Sequence, residues 1–336
     1  MKNVGIISGM RMLFTTDIHG SETCFRKFLN ALKIYNVDVG ILLGDLCGKM
    51  LYPIVNQPNG TYTCDFLGQK RVMKTKEELQ SIEKELAAIG NYYFYTDPEE
   101  MEKLKAEGKT IEGRIDERAT SISLSAGKIE ALFEKLVLER LGSWIKLAEE
   151  RLGGSNIKMF MAPGNDDIQE MDAVLDRSTY IINADNKKVD VNGHEMITLS
   201  WSNPTPWDTP RECSEEELEE KIEKLVSQVE DMENAIFNFH VPPYDTQLDQ
   251  CPKLSANLVP STDEVIAAGS KAVLNAIKKY QPLLGLHGHI HESRGIQKIG
   301  RTTCINPGSE YTEGILRGAI VMLEKRKLKD FIFVSG

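Results

Sequence analysis

The chain has 336 residues, 41% of them hydrophobic and 27% charged, a balance that excludes a fully disordered polymer and leaves room for two domains or one enlarged α/β domain. With 40 Lys and Arg against 50 Asp and Glu the net charge is −10, so there is no global basic field to drive non-specific nucleic-acid binding. No apolar run approaches the ~18 residues of a membrane helix, and the opening MKNVGIISGMRMLFTT, with Met10 or Met12 as alternative starts, is too broken for a signal-peptide core.

Short apolar runs recur along the chain, and most end in a polar, glycine-containing cluster. Met12 to Thr16 leads into Asp17-Ile18-His19-Gly20, followed by a predicted helix over Ser21 to Tyr35. Val37 to Leu43 leads into Gly44-Asp45. Beyond it, residues 49–130 read as a helical insertion, since the interval to the next cluster exceeds what one crossover helix needs. Within it Thr75 and Glu78 have capping-box spacing ahead of Leu79, Ile82 and Leu86, and Asp97-Pro98 opens another helix. Tyr92, Tyr93, Phe94 and Tyr95 form an aromatic run, read as packing between insertion and core or as a base-stacking platform.

A helix is expected over Ala131 to Leu152. Ile157 to Ala162 then runs into Pro163-Gly164-Asn165-Asp166-Asp167. After Trp201 comes a proline-rich loop, in which Asn203, Trp207 and Arg211 could form a recognition wall. Ser214 and Glu217 cap a stripe of Leu218, Ile222, Leu225 and Val229, expected to pack on the same chain. Ala235 to Phe239 runs into His240, a helix is predicted over Asp263 to Tyr280, and Leu283 to Leu286 runs into His287-Gly288-His289-Ile290-His291. Thr303 to Ile305 closes on Asn306-Pro307-Gly308-Ser309. Strand followed by polar loop, repeated this way, is how open α/β sheets gather a site at one rim. The six cysteines show no C-x-x-C pair, which fits free thiols in a reducing cytoplasm.

Five of the 6 histidines lie in these clusters, interleaved with Asp17, Asp45 and Asn165. If the segments are extended, residues two apart point the same way. Asp17 and His19 can then grip one ion, and His289 and His291 can address adjoining positions. Two divalent ions against two carboxylates leave a net positive charge that attracts a phosphate ester and a hydroxide. Mixed imidazole, carboxylate and amide donors suit manganese first, with iron, zinc or cobalt as alternatives.

The ordered series D-I-H, G-D, G-N-D, H and G-H-I-H resembles the calcineurin-like metallophosphoesterase superfamily from Asp17 to His291, and Asn306 to Ser309 is similar to that family's closing N-P-G-S loop. The stretch W-S-N-P-T-P-W-D-T-P-R-E from Trp201 is similar to predicted phosphoesterases related to bacterial cyclic-nucleotide phosphodiesterases. The resemblance implies a four-layer α/β/β/α sandwich over residues 11–336, carrying helical insertions. It implies one metal ion held by Asp17, His19, Asp45 and His291, and a second held by Asp45, Asn165, His240 and His289. Asp45 would bridge the two, and a metal-bridging hydroxide would attack phosphorus in line. The implied activity is phosphoester hydrolysis, with phosphodiesters preferred over monoesters. The substrate would be a small molecule or nucleotide, nucleic acid being a weaker alternative and a metal-binding interaction module the reading from outside enzymology.

The sequence departs from that family at Asp166, where many members carry a histidine that contacts substrate oxygens or protonates the leaving group. A carboxylate there repels a phosphate dianion unless it is protonated. Two alternatives stand: Asp166 acts as a general acid, directly or through water, or it turns away and His287 supplies the donor. The run Gly44-Asp45-Leu46-Cys47-Gly48 also lacks the acidic-arginine continuation of serine/threonine protein phosphatases. Gly48 stands where purple acid phosphatases carry a metal-binding tyrosine, and Cys47 is read as a small buried thiol.

Overall fold

The structure, a computed structural model, describes residues 9–106, 126–255 and 257–336. In chain order it runs β1 (Met10–Thr16), α1 (Glu22–Ile34), β2 (Val39–Leu43), β3 (Leu51–Asn56), β4 (Tyr62–Phe66), β5 (Gln69–Met73), α2 (Lys76–Ala88), β6 (Tyr92–Thr96), α3 (Pro98–Ala106), α4 (Ala126–Leu152), β7 (Lys158–Ala162), α5 (Met171–Asp176) and β8 (Ile181–Asn183). There follow β9 (Lys188–Val191), β10 (His194–Leu199), α6 (Glu215–Val226), β11 (Ile236–Phe239), β12 (Gln250–Leu254), β13 (Pro260–Ala267), α7 (Lys271–Tyr280), β14 (Leu284–Leu286), β15 (Gly295–Ile299), β16 (Thr302–Asn306), β17 (Arg317–Glu324) and β18 (Lys327–Ser335).

Two six-stranded sheets, ordered β18-β17-β1-β2-β7-β8 and β15-β16-β14-β11-β10-β9, pack face to face. Their centres are parallel, from β1 through β8 in the first and from β10 through β16 in the second. Alternation along each strand divides its side chains between two cores. Met12 and Phe14 of β1, and Val39, Ile41 and Leu43 of β2, meet Met196, Ile236, Leu284 and Leu286 between the sheets. Leu13 and Leu42 instead face α1, α4 and α5, where Trp144 stacks on Phe25 with ring centroids 4.4 Å apart. On the far side Ile197, Phe237, Phe239 and Cys304 pack under α6 and α7. The layers are therefore α/β/β/α, as expected. Both faces of each central strand are buried, so its sequence is a nearly continuous apolar run.

The insertion is a correction. Residues 49–130 are not simply helical: β5, β4, β3 and β6 form a four-stranded sheet. Its strands are rich in aromatic and β-branched residues, which favour a pleated, half-buried surface over a helix. One face packs Tyr52, Ile54, Cys64 and Phe66 on Ile82 and Leu86 of α2, whose capping box is formed. The other packs Leu51, Val55 and Phe94 on Met101 and Ile129. Of the aromatic run of β6, Tyr92 is buried, with the Arg140 guanidinium over its ring at 4.2 Å, and Phe94 packs on Met101 and Ile129, whereas Tyr95 is exposed. Residues 107–125 of the expected insertion lie outside the described residues.

A second correction concerns Asp263 to Tyr280. Only α7 is helical, started by Ser270, whose side chain accepts from the Val273 N–H. Residues 260–267 pair antiparallel with β12. Around α6 the expected stripe is buried on the same chain, with Ser214 and Glu217 closing the capping box. Among the described residues no helix is long and apolar enough to cross a membrane.

Candidate metal centre

The C-terminal ends of β1, β2, β7, β11 and β14 open on one rim, and the chain leaves β1, β2 and β14 through left-handed turns. Asp17, His19, Asp45 and His289 all have left-handed backbones, with φ of 51°, 39°, 38° and 68°. Such a φ is uncommon outside glycine and is held only where surrounding bonds over-determine it. His19 N–H donates to the Asp45 carbonyl at 2.8 Å and Gly20 N–H to the Leu46 carbonyl at 2.7 Å, locking the first two loops together. The donors therefore converge through turns rather than through period-two alternation, which corrects the extended-segment reasoning while keeping its residues.

Two groups of ligating atoms result. Asp17, His19, Asp45 and His291 place theirs within 4.8 Å of one another, and so do Asp45, His240 and His289. Asn165 completes the second group: its Oδ1 lies 3.0 Å from His240 Nε2 and 2.7 Å from His289 Nδ1. Asp45 divides its carboxylate, with Oδ2 3.6 Å from His19 Nε2 and Oδ1 3.5 Å from His240 Nε2. His19 and His291 bring their Nε2 atoms to 3.0 Å. Ligands at right angles on an ion with bonds of about 2.1 Å stand about 3.0 Å apart, so these separations are those of neighbouring coordination positions.

The electrostatics point the same way. Asp17 is 1% and Asp45 3% exposed, and among the described residues neither forms an ion pair with a lysine or arginine. Burial alone would raise the Asp17 pKa, but His240, His291 and His19 hold it far below the usual carboxylate range. Burial and Asp166 push Asp45 up, and His240 and His19 outweigh them. His240 shows the reverse: burial would lower it, yet Asp45 and Asp17 lift it to about 9. A protonated imidazole is the compensating charge this chain itself supplies. Burial lowers His289 to about 4, with His240 adding to the effect, so that ring is a neutral donor. Two buried carboxylates ringed by imidazoles and one amide oxygen fit a divalent metal, which takes deprotonated ligands and replaces the His240 proton.

Asp166 does not stand alone. Lys49 Nζ lies 2.6 Å from its Oδ2, a contact the sequence reading missed. Its Oδ2 is also 3.9 Å from His19 Nδ1, and its backbone N–H donates to Asp45 Oδ1 at 3.0 Å. Tyr311, also missed, sets its ring 4.5 Å from that of His19 and 5.9 Å from that of His291. Asp167 staples loops, accepting from the N–H groups of Leu46, Cys47 and Gly164 at 2.8, 2.7 and 2.8 Å. Burial and nearby Asp45 raise it to about 6 despite those bonds. Burial, with Asp167 beside it, pushes the Cys47 thiol well up, so it is a buried, unreactive sulfur.

His287 is not brought to this cluster. It is fully buried, its Nδ1 lies 2.9 Å from the Phe239 carbonyl, and its Nε2 occupies the space a Gly285 Cβ would need, beside Cys304. It points under α7, because the left-handed turn at His289 ends the alternation that would have put the two rings on one side. Arg211 is likewise structural: 2% exposed, it donates to the Asp167 and Ile168 carbonyls and pairs with Asp172 and Asp185. Ser21 is a helix cap, as its position suggests, accepting from Cys24 N–H.

No family model matches the chain. It is 31% identical over 153 residues to an uncharacterized protein, MJ1162, of Methanocaldococcus jannaschii, a match covering 45% of this chain and 64% of that protein's length. Among solved structures, one crystal structure superposes with a TM-score of 0.57 at 16% identity, over 97% of this chain and 98% of its own. TT1561 of Thermus thermophilus superposes with a TM-score of 0.52 at 13% identity, over 98% and 99%. At such identities the likeness is one of fold.

Proposed function

We propose that the chain is a metal-dependent phosphoesterase that hydrolyses a small-molecule phosphoester or nucleotide, with phosphodiesters as the first substrate class. The observation that carries this is Asp45, whose two carboxylate oxygens face different ligand groups, Oδ2 that of His19 and Oδ1 that of His240. Asp17, His19, Asp45 and His291 would hold one divalent ion, and Asp45, Asn165, His240 and His289 a second, manganese being favoured over iron, zinc or cobalt. Such a pair supplies a nucleophile near neutral pH and positive charge for the phosphoryl transition state. The chain's part is to fix the donors: Thr16 Oγ1 at 2.5 Å and His289 N–H at 3.0 Å donate to Asp17, and Asp166 N–H donates to Asp45. Six free cysteines agree with work in a reducing cytoplasm.

The diester preference rests on the resemblance of the stretch from Trp201. The charge of Asp166, which would have excluded dianions, is paired with Lys49, and that pairing favours monoester hydrolysis as a second reading. The test is hydrolysis of an aryl phosphodiester and its matching monoester by protein stripped of metal and resupplied with Mn²⁺, Fe²⁺, Zn²⁺, Co²⁺ or Mg²⁺. Metal-dependent turnover is expected, and the rate ratio chooses the class. Two bound ions without turnover of either ester would overturn the broad phosphoesterase reading in favour of a narrow substrate or a binding role.

A further inference from the structure

We propose that Lys49 receives the substrate's phosphoryl oxygens at the mouth of the site, with Asp166 as its positioning residue. This rests on the phosphoesterase reading and names the group it recognises, an anionic phosphoryl group such as that of a monoester or of inorganic phosphate.

The pair is graded in depth. The Asp166 side chain is 11% exposed and that of Lys49 43%, so the pair runs from the buried ligands towards the surface. Through Asp166 the ammonium stands one residue from both ligand groups, His19 by its Nδ1 and Asp45 by its Oδ1. The opening lies beside His291, whose side chain is 26% exposed while those of Asp17, His19, Asp45 and His240 are buried. The Tyr311 ring covers His19 and His291 there.

Of the other cations nearby, Arg317 pairs with Glu310 and Arg294 lies over the Phe333 ring, both on the His291 side of the opening. Arg211 is buried on Asp172 and Asp185, and Arg140 holds the carbonyls of Gly20 and Asn91. A lysine ammonium carries three donors, and the contact to Asp166 Oδ2 at 2.6 Å engages one of them. A compact charge whose remaining donors meet no partner among the described residues, fixed in direction by a carboxylate, is suited to phosphate oxygens that change position between bound ester and product. It also accounts for a carboxylate at position 166, since a histidine there could not anchor an ammonium by charge.

The test titrates inorganic phosphate into the Mn²⁺-loaded full chain, comparing wild type, Lys49→Met and Lys49→Arg, with Mn²⁺ affinity measured for each. Lys49→Met should weaken phosphate binding about 10-fold, Lys49→Arg should recover most of it, and Mn²⁺ affinity should not change. With the aryl monoester, KM should rise more than kcat falls. Unchanged phosphate affinity in Lys49→Met overturns the inference, and so does a parallel loss of Mn²⁺, which would make Lys49 a support for the ligands. Lys49-dependent phosphate binding in a protein that turns over neither ester would keep this inference and refute the hydrolase. Turnover at unchanged KM in Lys49→Met would do the opposite.

Discussion

Gly164→Ala removes no candidate ligand and should still weaken the site. A Cβ at residue 164 would stand 2.2 Å from Asp45 N, 2.3 Å from Asp45 Oδ1 and 2.8 Å from Gly44 Cα, where real Cβ contacts stay beyond 3.0 Å. The φ of Gly164 is not in the left-handed range, so the cost is steric. Neither loop can retreat freely, because β2 and β7 stay in register to Leu43 and Ala162 and Gly44 N–H donates to the Ala162 carbonyl at 2.9 Å. The Asp45 backbone and its carboxylate must both yield by roughly 1 Å, a displacement that costs about 100-fold in well-ordered sites. Overpacking of this kind costs about 1–3 kcal/mol, small against the ~5–15 kcal/mol of a folded domain. The variant should therefore fold, melt a few degrees lower and bind Mn²⁺ about 10–100-fold more weakly. Competition with a chelating dye gives the affinity and circular dichroism the melting point. Gly142→Ala is the control: nothing lies within 4 Å of its Cβ on α4, and it should gain about 0.5–1 kcal/mol. Wild-type Mn²⁺ affinity in Gly164→Ala would refute the bridging geometry.

Asp45→Ala should remove Mn²⁺ from both ligand groups and abolish turnover, whereas His289→Ala should weaken the second group alone; metal analysis after gel filtration separates the two. Equal losses would show that the groups are not distinct. His287→Ala orphans the Phe239 carbonyl and opens a buried cavity, so it should cost about 2–5 kcal/mol in denaturant unfolding and leave Mn²⁺ affinity intact. Selective loss of metal with full stability would restore His287 to the site. His194 is held below its ordinary pKa by burial, although its Nδ1 lies 3.1 Å from the Asn234 carbonyl. The unfolded chain therefore takes up that proton more readily than the folded one, and stability falls as pH drops through about 6.5. His194→Asn should flatten the slope between about pH 7 and pH 5, and an unchanged slope would place the effect elsewhere.

What could be read from the sequence follows from how local each signal is. The strand-end clusters stood out because strands buried on both faces are continuous apolar runs, as in Val39–Leu43, and polar residues after them have few other places to go. Which way each donor points was not local. Asp17, His19, Asp45 and His289 turn through left-handed backbone, so alternation named the right residues for the wrong reason, and its extension back to His287 failed. The sheet of residues 51–96 was hidden because its strands, such as Gln69–Met73, are short and half polar, while the helix between them announces itself by its capping box. Arg211 looked like a recognition residue because burial beside Asp172 and Asp185 leaves no mark in its neighbours. Lys49 was passed over for the converse reason: its partner Asp166 arrives from another strand end.

The sharing of Asp45 follows from strand order rather than from motif. Its strand, β2, lies between β1, which delivers Asp17 and His19, and β7, which delivers Asn165. From the facing sheet β11 and β14 are neighbours, and their ends bring His240 and His289 over the same rim. A residue at the end of the middle strand is the one that can reach donors on both sides, and the left-handed turn at Asp45 aims its carboxylate across that gap. Cysteine or glutamine at position 45 could supply a donor atom, but not two anionic oxygens held at that width. The bridging role proposed for Asp45 would thus be set jointly by the β1-β2-β7 order and by the carboxylate, and neither alone would join the two groups.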